Sequence, residues 1–183
     1  MGKREETKKP KSPRDFYATI DPDAVKPLLP FVQGMTYAEP CAGEGDLVQM
    51  LHKEGITCVY ASDIECSSFL QTNGYWGDAT KTPLSVYNEA DVIITNPPFS
   101  KALLLPIMDH LMQSGKPLWL LLPADIMHNR YMSPYMLKCR TVVSIGRLCW
   151  FPDEITGKLV KGVDNYCWFE YVNYETPTTF HGR

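Results

Sequence analysis

The chain has 183 residues, 44% of them apolar and 21% charged, with a net charge of −3. That length supports one domain with a substantial core, and no apolar run approaches the roughly 20 residues of a membrane helix. The six cysteines (Cys41, Cys58, Cys66, Cys139, Cys149, Cys167) form no C-x-x-C pair, which argues for reduced, mostly buried thiols of an intracellular protein and against structural zinc.

Residues 1–14 carry six Lys/Arg against Glu5 and Glu6, a local charge of +4. No apolar segment follows this start, so it is not a secretory signal. Its polar, Lys-rich part, 1–13, is expected to be a disordered basic arm ahead of a single domain, 14–183. Residues 15–125 are acidic, at −9, and residues 126–161 are basic, at +4. A polyanionic partner would therefore meet the arm and the late segment rather than the front half.

In chain order, TYAEPC (36–41) reads as a strand, and DLVQMLHKEG (46–55) as a helix stopped by Gly55. ITCVYASD (56–63) is a β-branched strand and SSFLQTNG (67–74) a short helix ended by Gly74. DVIITN (91–96) is a buried strand, and KALLLPIMDHLMQSG (101–115) a helix in which Pro106 should mark the start or a kink. PLWLLLP (117–123) is the next strand. TVVSIGRLCWF (141–151) and VDNYCWFEYV (163–172) read as an antiparallel hairpin. Alternation of this kind predicts an α/β doubly wound parallel sheet, here with a C-terminal antiparallel hairpin.

Three loops carry chemistry. In EPCAGEGD (39–46), Gly43 and Gly45 let the backbone turn tightly and approach a ligand, and the following helix offers its positive end. A nucleotide-type cofactor fits there, outside the strand ends. The loop is not the dinucleotide fingerprint, since Val48 stands where a third Gly would be. Asp63, eighteen residues past Gly45, is placed to accept ribose hydroxyls, and Asp78 to accept from an adenine amine. Either acid can equally be a cap or turn residue. The third loop is NPPF (96–99). Neither proline donates a ladder hydrogen bond, so the strand stops and Phe99 is presented just beyond its end.

EPCAGEGD, Asp63, Asp78 and NPPF together resemble the S-adenosylmethionine-dependent amino-methyltransferases of the N6-adenine or N4-cytosine DNA type, over roughly residues 14–125. The segment DFYATIDPDAVKPLLP (15–30) also looks like the piece that contacts the methionine end of the cofactor in such enzymes. The resemblance implies a Rossmann-like class I methyltransferase fold. It implies cofactor contacts at Tyr17, Thr19, Glu39, Cys41, Ala42, Gly43, Gly45, Asp46, Asp63, Ile64, Asp78, Ala79 and Asn96. It places Asn96, Pro97, Pro98 and Phe99 at the target amine.

Methylating an exocyclic amine is difficult because its lone pair is delocalised into the ring. The Asn96 side-chain oxygen and the Pro97 carbonyl can hold its N–H groups, the double proline preorganises both, and Phe99 offers a stacking face. Asn in first place favours adenine in the resembled family. Pro40-Cys41 is the dipeptide of carbon-5 cytosine chemistry, but it lies inside the cofactor loop, so Cys41 reads as a small loop residue.

No separate recognition domain fits this length. Substrate contacts should then come from 124–140 and 152–162, where Arg130, Lys138, Arg140, Lys158 and Lys161 can meet phosphates. Tyr131 and Tyr135 suit stacking or core packing equally, and His128 suits a loop or cap better than a general base. The expected activity is N6-adenine methylation of DNA, with specificity low or supplied by a homodimer or a protein partner. Compact enzymes of this type are phage-like, so the expected location is the cytoplasm of a bacterial or phage-infected cell, without membrane attachment. The same motif suits RNA adenine or a protein glutamine amide. A non-catalytic, partner-binding subunit is the alternative of another class, against which the presence of Gly43, Gly45, Asp63 and Asn96 argues.

Overall fold

The structure is a computed structural model that describes residues 17–65, 67–152 and 156–183; the expected basic arm and Cys66 lie outside the described residues. Strand β1 (Thr36–Glu39) leads through a glycine turn into helix α2 (Asp46–Lys53), after the short helix α1 (Leu29–Val32). There follow β2 (Thr57–Asp63), α3 (Ser68–Asn73), β3 (Tyr75–Trp76), β4 (Val92–Thr95), α4 (Lys101–Met112), β5 (Leu118–Pro123), α5 (Ser133–Met136), β6 (Cys139–Arg147), β7 (Asn165–Tyr171) and β8 (Thr179–His181). The eight strands among the described residues form one sheet in the order β3-β2-β1-β4-β5-β7-β6-β8.

The apolar runs of β4 and β5 are continuous because both faces of the sheet are covered. Ile93, Leu118, Leu120 and Leu122 pack with Leu104, Ile107, Met108 and Leu111 of α4. Val92, Ile94, Trp119 and Leu121 pack on the other face with Leu47 and Leu51 of α2 and with Ala24, Val25, Leu28 and Val32 upstream. Successive strand residues thus serve opposite layers, and the expected doubly wound α/β sheet follows. Pairing is parallel from β3 through β5.

The expected hairpin is present, with β7 antiparallel to both β5 and β6. Its second strand lies inside the sheet, because Tyr166–Tyr171 are buried throughout and need a strand on each side. Strand β8, parallel to β6 at the edge, has no signal in the sequence: Thr179-Phe180-His181 is short and mostly exposed. Pro106 sits within α4 rather than at its start. β3 spans only two residues, so Asp78 falls in a turn beyond it. No helix among the described residues is long and apolar enough to cross a membrane.

Candidate active site

The order β2-β1-β4 reverses the chain's progress across the sheet at β1, and a crevice at the carboxyl ends of such strands is where ligands of open α/β sheets sit. The loop after β1 is built for close backbone approach. Gly43 has φ 52° and Gly45 φ 81°, and Gly45 caps the amino end of α2. The Asp63 carboxylate at the end of β2 accepts from Gly43 N at 2.9 Å through Oδ2, and from Glu65 N at 2.9 Å through Oδ1. Ser67 Oγ donates to Gly43 O at 2.7 Å, so the start of α3 also ties the loop down. Burial raises the Asp63 pKa, opposed by the Gly43 amide. Asp46, in the first turn of α2, is raised for the same reason, with Glu44 adding to it.

Glu39 ends β1 fully buried. Thr95 Oγ1 donates to its Oε1 at 2.5 Å and Cys41 N at 3.1 Å, while Oε2 is buried with no partner. Burial lifts its pKa to about 8, so the side chain is mostly neutral at pH 7 in the free protein, and burial also drives the Cys41 thiol well up. A folded-state value above the ordinary 4.5 means that the native state binds more protons than the unfolded chain. The contribution is therefore complete below pH 4.5 and is lost as pH rises toward 8. In thermal melts of the ligand-free protein, the midpoint should fall by several degrees across that window, and Glu39→Gln should flatten the fall. Equal slopes for the two proteins would show that Glu39 titrates normally.

At the end of β4 the double proline stops the ladder and Asn96 turns toward the N-terminal segment. Its Nδ2 donates to Tyr17 O at 2.7 Å and to Thr19 Oγ1 at 2.9 Å. The Tyr17 carbonyl is an acceptor only, so it fixes which end of the amide faces it. Asn96 Oδ1 is left buried and without a partner. Next to it, Phe99 stacks on Tyr17, with ring centroids 4.9 Å apart and planes within 19°. Trp150 meets Phe99 edge-on at 6.0 Å, and Tyr166 lies 5.9 Å away.

Sequence reasoning missed the last two. Trp150 lies in an aromatic-rich stretch that read as strand through residue 151. In fact β6 ends at Arg147, and Cys149 N binds Asp21 Oδ2 at 3.0 Å, which swings Trp150 over the end of β4. Thr95, the holder of Glu39, was also missed; a buried threonine at a strand end carries no distinguishing signal.

The remaining expected site residues divide. Ala42 and Ala79 are buried near the strand ends, while Ile64 is 60% exposed. Asp78 Oδ1 accepts from Thr80 N at 2.9 Å and Thr80 Oγ1 at 2.7 Å, the geometry of a turn acid, and the Thr80 hydroxyl lowers its pKa. A groove of about 800 Å³ runs beside Asp78, Tyr60, Tyr75 and Trp76, and its lining does not include the glycine loop or Asn96.

The five basic residues do not form one surface. Lys138 and Arg140 stand at the amino end of β6, level with Leu118 at the start of β5, which is the rim opposite Asn96. Arg140 is moreover held by the buried Glu170, with Nε 2.9 Å from Oε2 and Nη2 on Oε1. Lys161 pairs with Asp23 Oδ2 at 2.6 Å and thereby ties its own segment to the chain upstream of β1. Arg130 and Lys158 are exposed on segments that leave the carboxyl ends of β5 and β6. Tyr131 carries Lys101 Nζ at 5.1 Å from its ring, Tyr135 donates to Asp109, and His128 ends a short 3-10 helix.

No protein-family model and no curated protein sequence matches the chain. Solved structures do. A proposed RNA methyltransferase from Pyrococcus horikoshii superposes with a TM-score of 0.63 over 91% of this chain and 92% of its own, at 14% identity. The modification subunit of a proposed type I restriction enzyme from Vibrio vulnificus gives 0.58 at 14% identity, over 91% of this chain but 47% of its own. A proposed class I S-adenosylmethionine-dependent methyltransferase from Listeria monocytogenes gives 0.56 at 14% identity, over 90% of this chain and 66% of its own. The fold is the class I methyltransferase fold.

Proposed function

We propose that the protein transfers a methyl group from S-adenosylmethionine to the exocyclic N6 amine of adenine in DNA. The observation that carries this reading is the orientation of Asn96: Nδ2 is engaged by Tyr17 O and Thr19 Oγ1, and the buried Oδ1 is unpaired. A buried acceptor without a donor is unfavourable by about 1–3 kcal/mol unless a ligand satisfies it. An amine hydrogen is the donor it suits.

The residues at the ends of β1 and β2 fit the cofactor. Positive φ at Gly43 and Gly45 lets backbone approach it closely, Asp63 retains lone pairs for ribose hydroxyls, and Glu39 Oε2, once it gives up its proton, can meet its ammonium. Bound there, S-adenosylmethionine would supply a methyl on a sulfonium, already a good leaving group. The chain's own part is positioning: Asn96 Oδ1 and the Pro97 carbonyl hold the two N–H groups, and Phe99 supports the ring. The rigid Pro97-Pro98 pair keeps these acceptors fixed.

RNA adenine is the second reading, favoured by the Pyrococcus neighbour, whose length this chain nearly matches. A protein glutamine amide would use the same acceptors. Arg130 and Lys158 are exposed on the site side, and sequence specificity falls to a second copy or a protein partner, and the reaction to the cytoplasm of a bacterial or phage-infected cell. A partner-binding subunit without catalysis would keep the fold but have no use for the unpaired Asn96 oxygen.

The test is methyl transfer from labelled S-adenosylmethionine to double-stranded DNA, single-stranded DNA, RNA and a cellular protein extract, with digested products identified by mass spectrometry. N6-methyladenine in DNA is expected. Label in RNA or protein alone would move the substrate and keep the chemistry, and tight cofactor binding with no label would leave a subunit awaiting a partner.

A further inference from the structure

Tyr17 fixes the point from which the chain upstream of it departs. Its carbonyl accepts from Asn96 Nδ2 at 2.7 Å, and its ring stacks on Phe99 at 4.9 Å. That point is held from the other side as well. Asp21 accepts from Cys149 N at 3.0 Å, and Ala24 O accepts from Trp168 Nε1 at 2.7 Å. The upstream chain is therefore tethered beside the proposed target amine. It is also strongly basic, with Lys3, Arg4, Lys8, Lys9, Lys11 and Arg14 against Glu5 and Glu6.

The rest of the crevice is poorly suited to a polyanion. The loops after β1 and β2, residues 39–46 and 63–67, carry Glu44, Asp46, Asp63 and Glu65 besides the buried Glu39, and no Lys or Arg. Phosphates are repelled from that half of the sheet end. Of the late basic residues, Arg140 is engaged by Glu170 and Lys161 by Asp23. Lys101, Arg130, Arg147 and Lys158 are exposed toward the carboxyl side of the sheet, but on four separate segments. Lys101 already lies over the Tyr131 ring.

We propose that residues 3–14 are a phosphate-binding arm that grips the nucleic acid next to the methylated base. This rests on the reading of Asn96 as the acceptor of an adenine amine. Covalent geometry allows at most about 3.5 Å per residue, so Arg14 is tethered within about 10 Å of Tyr17 and Lys8 within about 32 Å. A duplex presents a phosphate about every 3.4 Å along each strand. Lys8, Lys9, Lys11 and Arg14 thus serve the backbone within about one helical turn of the target. Contacts of this kind add affinity and register but carry no sequence information. The arm supplies binding strength, and specificity still has to come from elsewhere.

The test compares the unmodified full chain with a variant that combines Lys8→Gln, Lys9→Gln, Lys11→Gln and Arg14→Gln. The probe is an adenine-containing DNA duplex of about 30 base pairs, at salt from about 50 to 200 mM. Binding affinity, the KM and kcat of methyl transfer, and S-adenosylmethionine affinity by calorimetry are measured. Each phosphate contact contributes about 0.9 to the slope of log affinity against log salt, so the slope should become shallower by about 3 to 4. The KM should rise by about 100-fold at the lowest salt and return toward the original at the highest. Values of kcat and cofactor affinity should not change, since Asn96 Oδ1 and the glycine loop are left as they are.

An unchanged salt slope would end the proposal, and would do so whether or not Arg130→Gln with Lys158→Gln flattens it. A shallower slope with an unchanged KM would put the arm on nucleic acid away from the target, and would also end it. Methyl transfer to DNA by the unmodified protein alongside either result would overturn this inference alone. No transfer by the unmodified protein to DNA or RNA would bring down the reading on which it rests, and this inference with it.

Discussion

Asn96→Ala should lower the rate of methyl transfer by about 10²- to 10³-fold, the usual loss when one preorganised polar group at a reacting centre is removed. The effect belongs in kcat rather than in cofactor affinity, because the glycine loop is held by Asp63 and Ser67, independently of Asn96. Two functions go together in this substitution. Oδ1 is the unpaired acceptor, and Nδ2 ties β4 to Tyr17 and Thr19. Thr19→Val separates them: it removes one of the two acceptors for Nδ2, fills nearly the same buried volume, and leaves Oδ1 in place. One neutral hydrogen bond is worth about 0.5–1.5 kcal/mol, so this variant should lose about 2- to 12-fold. A Thr19→Val protein as slow as Asn96→Ala would mean that the amide acts only as a structural tie. Full transfer by Asn96→Ala would remove it from the chemistry altogether.

What could be read beforehand follows from which forces are local. β4 and β5 are unbroken apolar runs because each is covered on both faces, so Val92–Thr95 and Leu118–Pro123 announced themselves. The glycine turn was legible for a similar reason, since positive φ at Gly43 and Gly45 needs a residue type visible in the chain. β8 was not legible: Thr179–His181 is held by its edge pairing with β6, a partner some forty residues away. The sign of a charge can be read, but not the end of the sheet where it emerges. Arg140 looked available for phosphate because nothing near it in sequence is acidic, yet Glu170 reaches it from β7. Tyr17 and Phe99 are likewise brought together only by the fold. The candidate site was thus legible as a set of loops, while the contacts that give Asn96 its orientation and Phe99 its stacking partner are all long-range.

The glycine loop offers the other large effect. Gly45 has φ 81° and ψ 14°, and a Cβ built on it would lie 2.5 Å from Cγ and Cδ2 of Phe69. Gly45→Ala therefore carries two separable penalties, roughly 1–2 kcal/mol for an L-residue in the left-handed region and roughly 1–3 kcal/mol for overpacking. The ring cannot yield by a small rotation, because the clash reaches its Cγ, close to its own backbone. Phe69 belongs to α3, whose cap Ser67 also holds Gly43 O, so relief by moving the helix would pull on the same loop. Gly45→Ala should accordingly abolish measurable S-adenosylmethionine binding even at temperatures where the protein remains folded. Adding Phe69→Ala gives the clashing atom room and leaves the backbone term untouched. The double variant should then be more stable than the two single losses added together, by roughly the overpacking penalty of 1–3 kcal/mol. Additive losses in denaturant melts would show that the ring already moves aside without penalty. Recovery of stability without recovery of cofactor binding is the expected pattern, because a strained residue at the amino end of α2 tilts the backbone amides that must meet the ligand, whatever lies beside them.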